Sequence, residues 1–364
     1  MKKAIILITI ILMLPILSAT FMMRLLSENH ISSSNYPESG NNEAYFDAYI
    51  EDYGETPAKR ASADNNKAFN CLIAGFDNVA ENTDVLILVS YNEIENRITF
   101  MQIPRDTYVC FNGENKKINS LFSHYLGNGR DKSTALGKLS EFVSDNFGIP
   151  IDCYAAVTIS QLSDMVDAVG GVTVDVPFDM KYDDDEQNLH IDIKAGTQTL
   201  NGKKALEFVR FRKSYIRGDL GRLDAQKIFI NALMSKLMTD KTHDKIKIAA
   251  IIAKDINTNA SVTDIFRMYS AAKNNGVSII SFTVPGDAAK DPKGGEWYYI
   301  INKKTAENAI YSYINNGRTI EFDKNRVFIC NDNDAFSDIY NNGSFELKTY
   351  SENDVPKITI KCGG

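Results

Sequence analysis

Histidine is scarce in this chain and cysteine is scattered. The 364 residues hold four histidines and five cysteines, and none of them stands at the CxxC or Cys–His spacing of a zinc site. His30, His124, His190 and His243 lie far apart, with no serine or cysteine nucleophile placed to use them. Positive charge is also in deficit: the formal net charge is -7. General nucleic-acid binding needs a basic face, so the balance argues against it. Internal repeats are missing. Of the cysteines (Cys71, Cys110, Cys153, Cys330 and Cys362), the pair that shares the tail, Cys330 with Cys362, is the expected disulfide.

Long apolar runs are missing too, with one exception. "MKKAIILITIILMLPILSATFMM" opens on Lys2 and Lys3 and stays apolar until Arg24. About 20 such residues cross a bilayer. Lysines before the run keep the N-terminus in the cytoplasm, which puts the remainder outside the plasma membrane. "LSAT" is a poor signal-peptidase site because Leu17 occupies a small-residue position. No cysteine follows closely enough for a lipoprotein anchor. The expectation is an uncleaved single-pass anchor over 1–24. Residues 25–66, rich in Ser, Asn, Glu and Gly without apolar periodicity, read as an extracellular linker.

Beyond residue 67 strands and helices alternate, the pattern of an α/β domain. Strands are predicted over 69–77, 84–92, 97–104, 153–159, 172–177, 205–212 and 278–286. Helices are predicted over 133–148, 160–171 with Ser160 as its cap, 219–238 with Asp219 as its cap, 243–253 and 262–275. The domain is assigned to 67–317. Residues 318–364 read as a C-terminal extension of short strands and turns.

Against the acidic background, "VRFRKSYIRGDLGRLDAQ" (209–226) gathers Arg210, Arg212, Arg217 and Arg222. On a strand, Arg210 and Arg212 share a face. On the following helix, Arg222 and Gln226 are four apart and also share one. Arginine offers a planar fork that grips phosphate oxygens in pairs, which lysine cannot do. A phosphate or pyrophosphate site and a set of surface ion pairs are both open from this stretch alone. "IPRDTYV" (103–109) adds Arg105 and Asp106 at a strand end. Asp77 and Asp84, at the end of one strand and the start of the next, form a pair of carboxylates that can hold Mg²⁺ or serve as caps.

Taken in order, "IPRDTYV", "KINS" (117–120), "LSDMVDAVGGVTVDV" (162–176), "GTQTLNGKKALEFVRFR" (196–212) and "GDLGRLDAQ" (218–226) resemble the LytR-CpsA-Psr family. The resemblance is strong over roughly 68–240 and weaker to about 315. It implies an αβα sandwich with a central mixed β-sheet behind one membrane anchor, with a hydrophobic pocket for a lipid tail. It also implies a phosphotransferase of Gram-positive-type envelopes. Such an enzyme moves a teichoic-acid-like or capsular glycopolymer from a polyprenyl-pyrophosphate carrier to peptidoglycan, usually to the C6 hydroxyl of N-acetylmuramic acid. Carried over by motif, Asp77 and Asp84 would hold Mg²⁺ and Arg105 would stand at the scissile bond. Arg210, Arg212, Arg222 and Gln226 would clamp the pyrophosphate, Asp219 would orient an arginine, and Asn119 would line the site. Asp106 is a candidate base, with Asp84 or another acid open for that role. Asn82 and Ala225 stand where the family commonly has arginine. A pyrophosphate hydrolase and a non-catalytic lipid-carrier-binding regulator are the alternative readings. "DDDE" (183–186) reads as a solvated loop, and Trp297, Tyr298 and Tyr299 as core or edge-strand packing, with stacking on sugars as the alternative.

Overall fold

The computed structural model describes residues 68–76, 82–127, 131–185, 189–213, 215, 219–239, 257–260, 277–315, 320, 322, 327–330, 334–343, 345 and 347–351. The sequence-based anchor and linker (1–66), Asp77, Arg217 and the helices expected over 243–253 and 262–275 lie outside them. Among the described residues no helix is long and apolar enough to cross a membrane.

Four strands build the centre of a mixed sheet: β1 (Ala68–Phe76), β2 (Thr83–Asn92), β3 (Arg97–Ile103) and β6 (Cys153–Thr158). β1 pairs antiparallel with β2 and parallel with β6, and β2 pairs antiparallel with β3. β12 (Ser278–Thr283) extends the sheet parallel to β3. The short β11 (Asn257–Thr258) and β15 (Thr349–Ser351) close its two edges. β2 is buried along its whole length, as a strand covered on both faces must be. Side chains of period two feed two cores. Phe69, Cys71, Ile73, Val85, Ile87, Val89 and Phe100 enter one, and Leu72, Ala74, Leu86, Leu88, Met101 and Ile103 the other.

The first core is covered by α3 (Ile159–Ala168), α4 (Gly202–Arg210) and α5 (Asp219–Thr239), with the hairpins β7 (Val172–Val176)/β10 (Gly196–Leu200) and β8 (Met180–Asp184)/β9 (Leu189–Ile193). The second is covered by α1 (Ser120–Leu126), α2 (Lys132–Phe147), α6 (Lys303–Tyr313) and α7 (Ser337–Asn342). The hairpins β4 (Tyr108–Phe111)/β5 (Glu114–Lys117) and β13 (Gly286–Lys290)/β14 (Trp297–Ile301) lie on this side. The result is the expected αβα arrangement.

Three expectations are corrected. The stretch 205–212 is not a strand: α4 runs to Arg210, and its start is fixed by Asn201, whose side chain accepts from the Lys204 amide at 2.9 Å. The residues Ala205, Phe208 and Val209 are all buried at helical spacing. Arg210 therefore ends a helix and Arg212 lies beyond it, so the two do not share a strand face. The cap of α3 is Thr158, in a capping box with Gln161, rather than Ser160. The disulfide joins Cys110 to Cys330 across 220 residues of sequence; Cys362 lies outside the described residues. Where it is described, the extension past residue 318 packs into the domain and holds α7 as well as β15. Ile320, Phe322, Val327, Phe328, Ile329, Phe336 and Tyr340 are buried in the second core.

Candidate active site

β1, β3, β6 and β12 run in one direction, and β2 runs against them. The carboxyl ends of β3 and β12 therefore meet the start of β2 at one edge of the sheet. Open α/β sheets bind their ligands at such an edge. Asp84 opens β2 there, and Arg105 follows the end of β3, with Leu86 and Ile103 in register between them. The Arg105 Nη1 stands 4.0 Å from Asp84 Oδ1. The Asp84 side chain is 5% exposed and the Arg105 side chain 24%.

The turn that carries Arg105 and Asp106 is bolted in place. Thr107 donates from its amide and its hydroxyl to the Pro104 carbonyl, at 3.0 and 2.6 Å. The Asn119 amide donates to Arg105 O at 3.2 Å, and the Tyr299 amide to Asp106 O at 2.8 Å. Asn119 also accepts the Thr83 amide at 3.3 Å, so one backbone residue ties the Asp84 strand to the Arg105 turn. Its side chain does not cap α1. Asp106 lies between two cations: Arg105 Nε at 3.5 Å and Lys117 Nζ at 3.6 Å. That Lys117 ammonium also sits over the Tyr298 ring, 5.5 Å from its centroid. Burial, helped by its hydrogen bond to Glu296, pushes the Tyr298 phenol up to about 12.

The opposite wall comes from α5. Arg222 and Gln226, four residues apart, both face the cleft, which Asp84, Gln102, Arg105 and Leu223 also line. Arg222 is 3% exposed and Gln226 1%. The space between them is tight, about 10 Å³, room for about one water. Gln226 Nε2 donates to the Val209 carbonyl at 3.1 Å, which fixes the end of α4, and so Arg210, beside the cleft. Arg210 and Arg212 are half-buried but are not among its lining residues. Arg212 lies instead toward β8, where its charge acts on Tyr182. Asp219 begins α5. Gly221 has no room for a side chain: a Cβ there would stand 2.5 Å from Tyr215 Cβ.

The sequence reading missed a polar layer behind this wall. Gln102 Nε2 donates to Gln226 Oε1 at 3.4 Å, and Thr283 Oγ1 donates to Gln102 Oε1 at 3.1 Å. Lys227, 2% exposed, reaches Asp224 Oδ1 at 2.7 Å and Thr283 Oγ1 at 2.8 Å, and lies over the Tyr350 ring. Asn231 Nδ2 donates to Ser281 Oγ at 3.1 Å. Polar residues at 222, 226, 227 and 231, interleaved with the apolar positions of the helix, were the available signal. Of the two departures noted above, Asn82 accepts from the Ser123 hydroxyl at 3.0 Å, and Ala225 is buried in the first core.

Two arginines and a carboxylate stand around one tight cleft at the carboxyl ends of the strands of an α/β domain. The chain belongs to the LytR_cpsA_psr family, whose model matches residues 32–314. The relative named polyisoprenyl-teichoic acid–peptidoglycan teichoic acid transferase TagV, from Bacillus subtilis, is 32% identical over 60% of this chain, and the match spans 57% of its own length. A TagU transferase of the same description from Bacillus cereus is 32% identical over 63% of this chain and 72% of its own. The crystal structure of B. subtilis TagV superposes with a TM-score of 0.54 at 29% identity, covering 69% of this chain and 97% of that one. A Streptococcus agalactiae structure, gbs0355, shares the fold at a TM-score of 0.59 and 24% identity, over 72% and 93% of the two chains.

Proposed function

We propose that this protein transfers a phosphate-linked glycopolymer from a polyprenyl-pyrophosphate carrier to a hydroxyl of peptidoglycan. One observation carries the reading: Arg105, from the end of β3, and Arg222, from α5, line one cleft together with Asp84, which stands 4.0 Å from Arg105. The relatives' names, teichoic acid transferases acting on peptidoglycan, point to the same chemistry.

The acceptor hydroxyl oxygen attacks the phosphorus that bears the glycopolymer. The bond from that phosphorus to the bridging oxygen breaks, and polyprenyl phosphate leaves with the electron pair. The product is a phosphodiester. Such a transfer needs positioning and charge neutralisation more than covalent help. Arg105 and Arg222 supply donors to the equatorial and bridging oxygens, whereas Arg210 and Arg212, given to the pyrophosphate by the resemblance, stand outside the cleft lining. Gln226, held by Gln102 and Val209 O, orients the Arg222 wall. Asn119 holds the Asp84 strand to the Arg105 turn. The resemblance gives Asp219 the orienting of an arginine, but its side chain lies outside the described ones. The hydroxyl proton passes to a carboxylate; Asp106, with its side chain 32% exposed, is the candidate.

Mg²⁺ is the ion the family resemblance implies, and Asp84 is the described carboxylate that would receive it. Among the described residues no group of three His, Cys, Asp or Glu gathers into a protein cage. Mg²⁺ rarely uses one; it takes one or two carboxylates together with phosphate oxygens and waters. Asp84 would be one ligand and Asp77 the second, and the ion would neutralise charge on the pyrophosphate. The apolar run over 1–24 would anchor the chain in the plasma membrane with the domain outside, beside its lipid-linked donor.

The full chain in detergent, given a polyprenyl-pyrophosphate oligosaccharide, peptidoglycan fragments and Mg²⁺, should yield a phosphodiester-linked conjugate by mass spectrometry. Arg105→Ala should lower the rate about 10²- to 10³-fold. Free polyprenyl phosphate without conjugate would move the reading to a hydrolase. A donor that binds and stays intact would move it to a carrier-binding role.

A further inference from the structure

Two of the five cysteines are buried thiols that face each other across the middle of the sheet. Cys71 of β1 and Cys153 of β6 are direct partners in the parallel register of those strands. Both point into the first core, and they are 0% and 2% exposed. The Cys153 thiol donates to Cys71 Sγ at 2.7 Å. Heavy atoms that merely pack settle about 3.5–4.0 Å apart, so this approach is closer than packing asks for. Neighbouring strands run about 4.8 Å apart, and a disulfide bridges α-carbons about 4.4–6.8 Å apart. The backbone therefore already stands at bonding range.

The chain carries a disulfide elsewhere. Cys110 is bonded to Cys330, which packs against the second core. Four cysteines allow three connectivities. The sheet separates the two cores, so the fold selects one of the three: 71 with 153, and 110 with 330. A domain that keeps a structural disulfide folds where an oxidant is present. That oxidant reaches Cys71 and Cys153 as well, while the strands have not yet closed over them.

We propose that Cys71 and Cys153 are a second oxidation site, joined as a disulfide while the domain folds. The oxidant is a disulfide, of a protein or of glutathione. One cysteine loses its proton and its thiolate attacks a sulfur of that disulfide, which expels the other sulfur as a thiolate. The second cysteine, also deprotonated, attacks the mixed disulfide and expels the remaining half. Two protein thiols are oxidised, the oxidant is reduced to two thiols, and the protons pass to the leaving sulfurs. The new bond ties β1 to β6 and closes a loop that contains Asp84, Arg105, Asp106 and Asn119. Cys110 lies inside that loop and Cys330 outside it, so the two bonds interlock along the chain. This holds whatever the cleft transfers.

The test counts thiols. The full chain, exported by a bacterial host, is quenched in acid, unfolded in guanidinium and alkylated with N-ethylmaleimide without reductant. Mass spectrometry should find at most one adduct per chain, on Cys362, and a peptide pair joined through Cys71 and Cys153. Adducts on Cys71 and Cys153 beside an intact Cys110–Cys330 bond overturn the proposal and leave two packed thiols. If Cys110 and Cys330 are alkylated too, the chain has met no oxidant. The count after refolding with glutathione disulfide then decides: a 71–153 bond supports the site, and two adducts there refute it. Melting gives a second reading. A reducing phosphine should lower the wild-type melting temperature by about 5 °C or more beyond its effect on the Cys71→Ala, Cys153→Ala variant. Equal shifts in the two proteins would mean that no bond joins the pair.

Discussion

At the scale of single residues, the cleft depends on fork geometry rather than on charge. Arg105 Nη1 and Asp84 Oδ1 are 4.0 Å apart, a loose pair that leaves the guanidinium free to turn toward a phosphate. Lysine at this position keeps the charge and loses the paired donors. Arg105→Lys should therefore retain donor binding within a few fold and lose transfer rate by about a hundredfold, read as kcat against KM. Gly221 matters for a steric reason. A methyl group there would meet Tyr215, and the strain falls on the residue next to Arg222. Gly221→Ala should lower the melting temperature, because Tyr215 must move to admit the methyl group, and should weaken donor binding as the start of α5 shifts. Lost stability with unchanged donor binding would mean that the glycine serves packing alone.

At the scale of elements, α5 explains what could and could not be read in advance. Its apolar positions Leu223, Ile230, Leu233 and Met234 announce a helix with a buried side, and all four are buried. The same helix also buries Arg222, Gln226, Lys227 and Asn231. No sequence pattern says that Gln102, Thr283 and Ser281 will stand opposite, because those partners come from β3 and β12, far off in the chain. The strands β1, β2, β3, β6 and β12 were legible for the opposite reason: continuous apolar runs bounded by turns mark strands covered on both faces. The stretch 205–212 misled because Val209 and Phe211 alternate with Arg210 and Arg212 as in a strand, while Ala205, Phe208 and Val209 fit helical spacing, and Asn201 decided between them. The places of Arg105 and Asp84 at neighbouring strand ends were legible because apolar runs mark β2 and β3, whereas the place of Arg210 depended on that misread element. The polar layer has an energetic consequence. Lys227→Met leaves the Asp224 carboxylate and the Thr283 hydroxyl without their ammonium, and breaking one side of a buried pair costs about 3 kcal/mol or more. Chemical denaturation should show that loss. It should shrink in the Lys227→Met, Asp224→Leu double variant, which removes both charges.

At the scale of the whole molecule, the second core is closed from outside the sheet. Cys110 of β4 joins Cys330, and the Cys110 amide donates to Val327 O at 2.6 Å. Around this bond Asp334 is a hub: its Oδ2 accepts from the Tyr108 hydroxyl at 2.7 Å and the Cys330 amide at 3.0 Å, and its Oδ1 from the Phe336 amide at 3.0 Å. Structural disulfides persist in oxidising compartments, which agrees with an external domain. Cys110→Ser with Cys330→Ser should cost about 2–5 kcal/mol and expose the 327–340 region to protease. The hub also sets an alkaline limit. Burial first, and then the Asp334 carboxylate, raise the Tyr108 phenol well above its usual range; Tyr298, packed edge-on against it at 5.3 Å, is pushed up to about 12. An unfolded phenol titrates near 10. The folded state thus holds these protons more tightly than the unfolded one, so their stabilisation is complete below about pH 10 and drains away as pH rises toward and past 12. Denaturant unfolding at fixed pH steps should show stability flat from pH 8 to about 10 and falling above it. Tyr108→Phe should lower the plateau, because Asp334 loses a donor, and should also make the fall shallower. A fall of unchanged steepness in that variant would mean that Tyr108 does not set the alkaline limit.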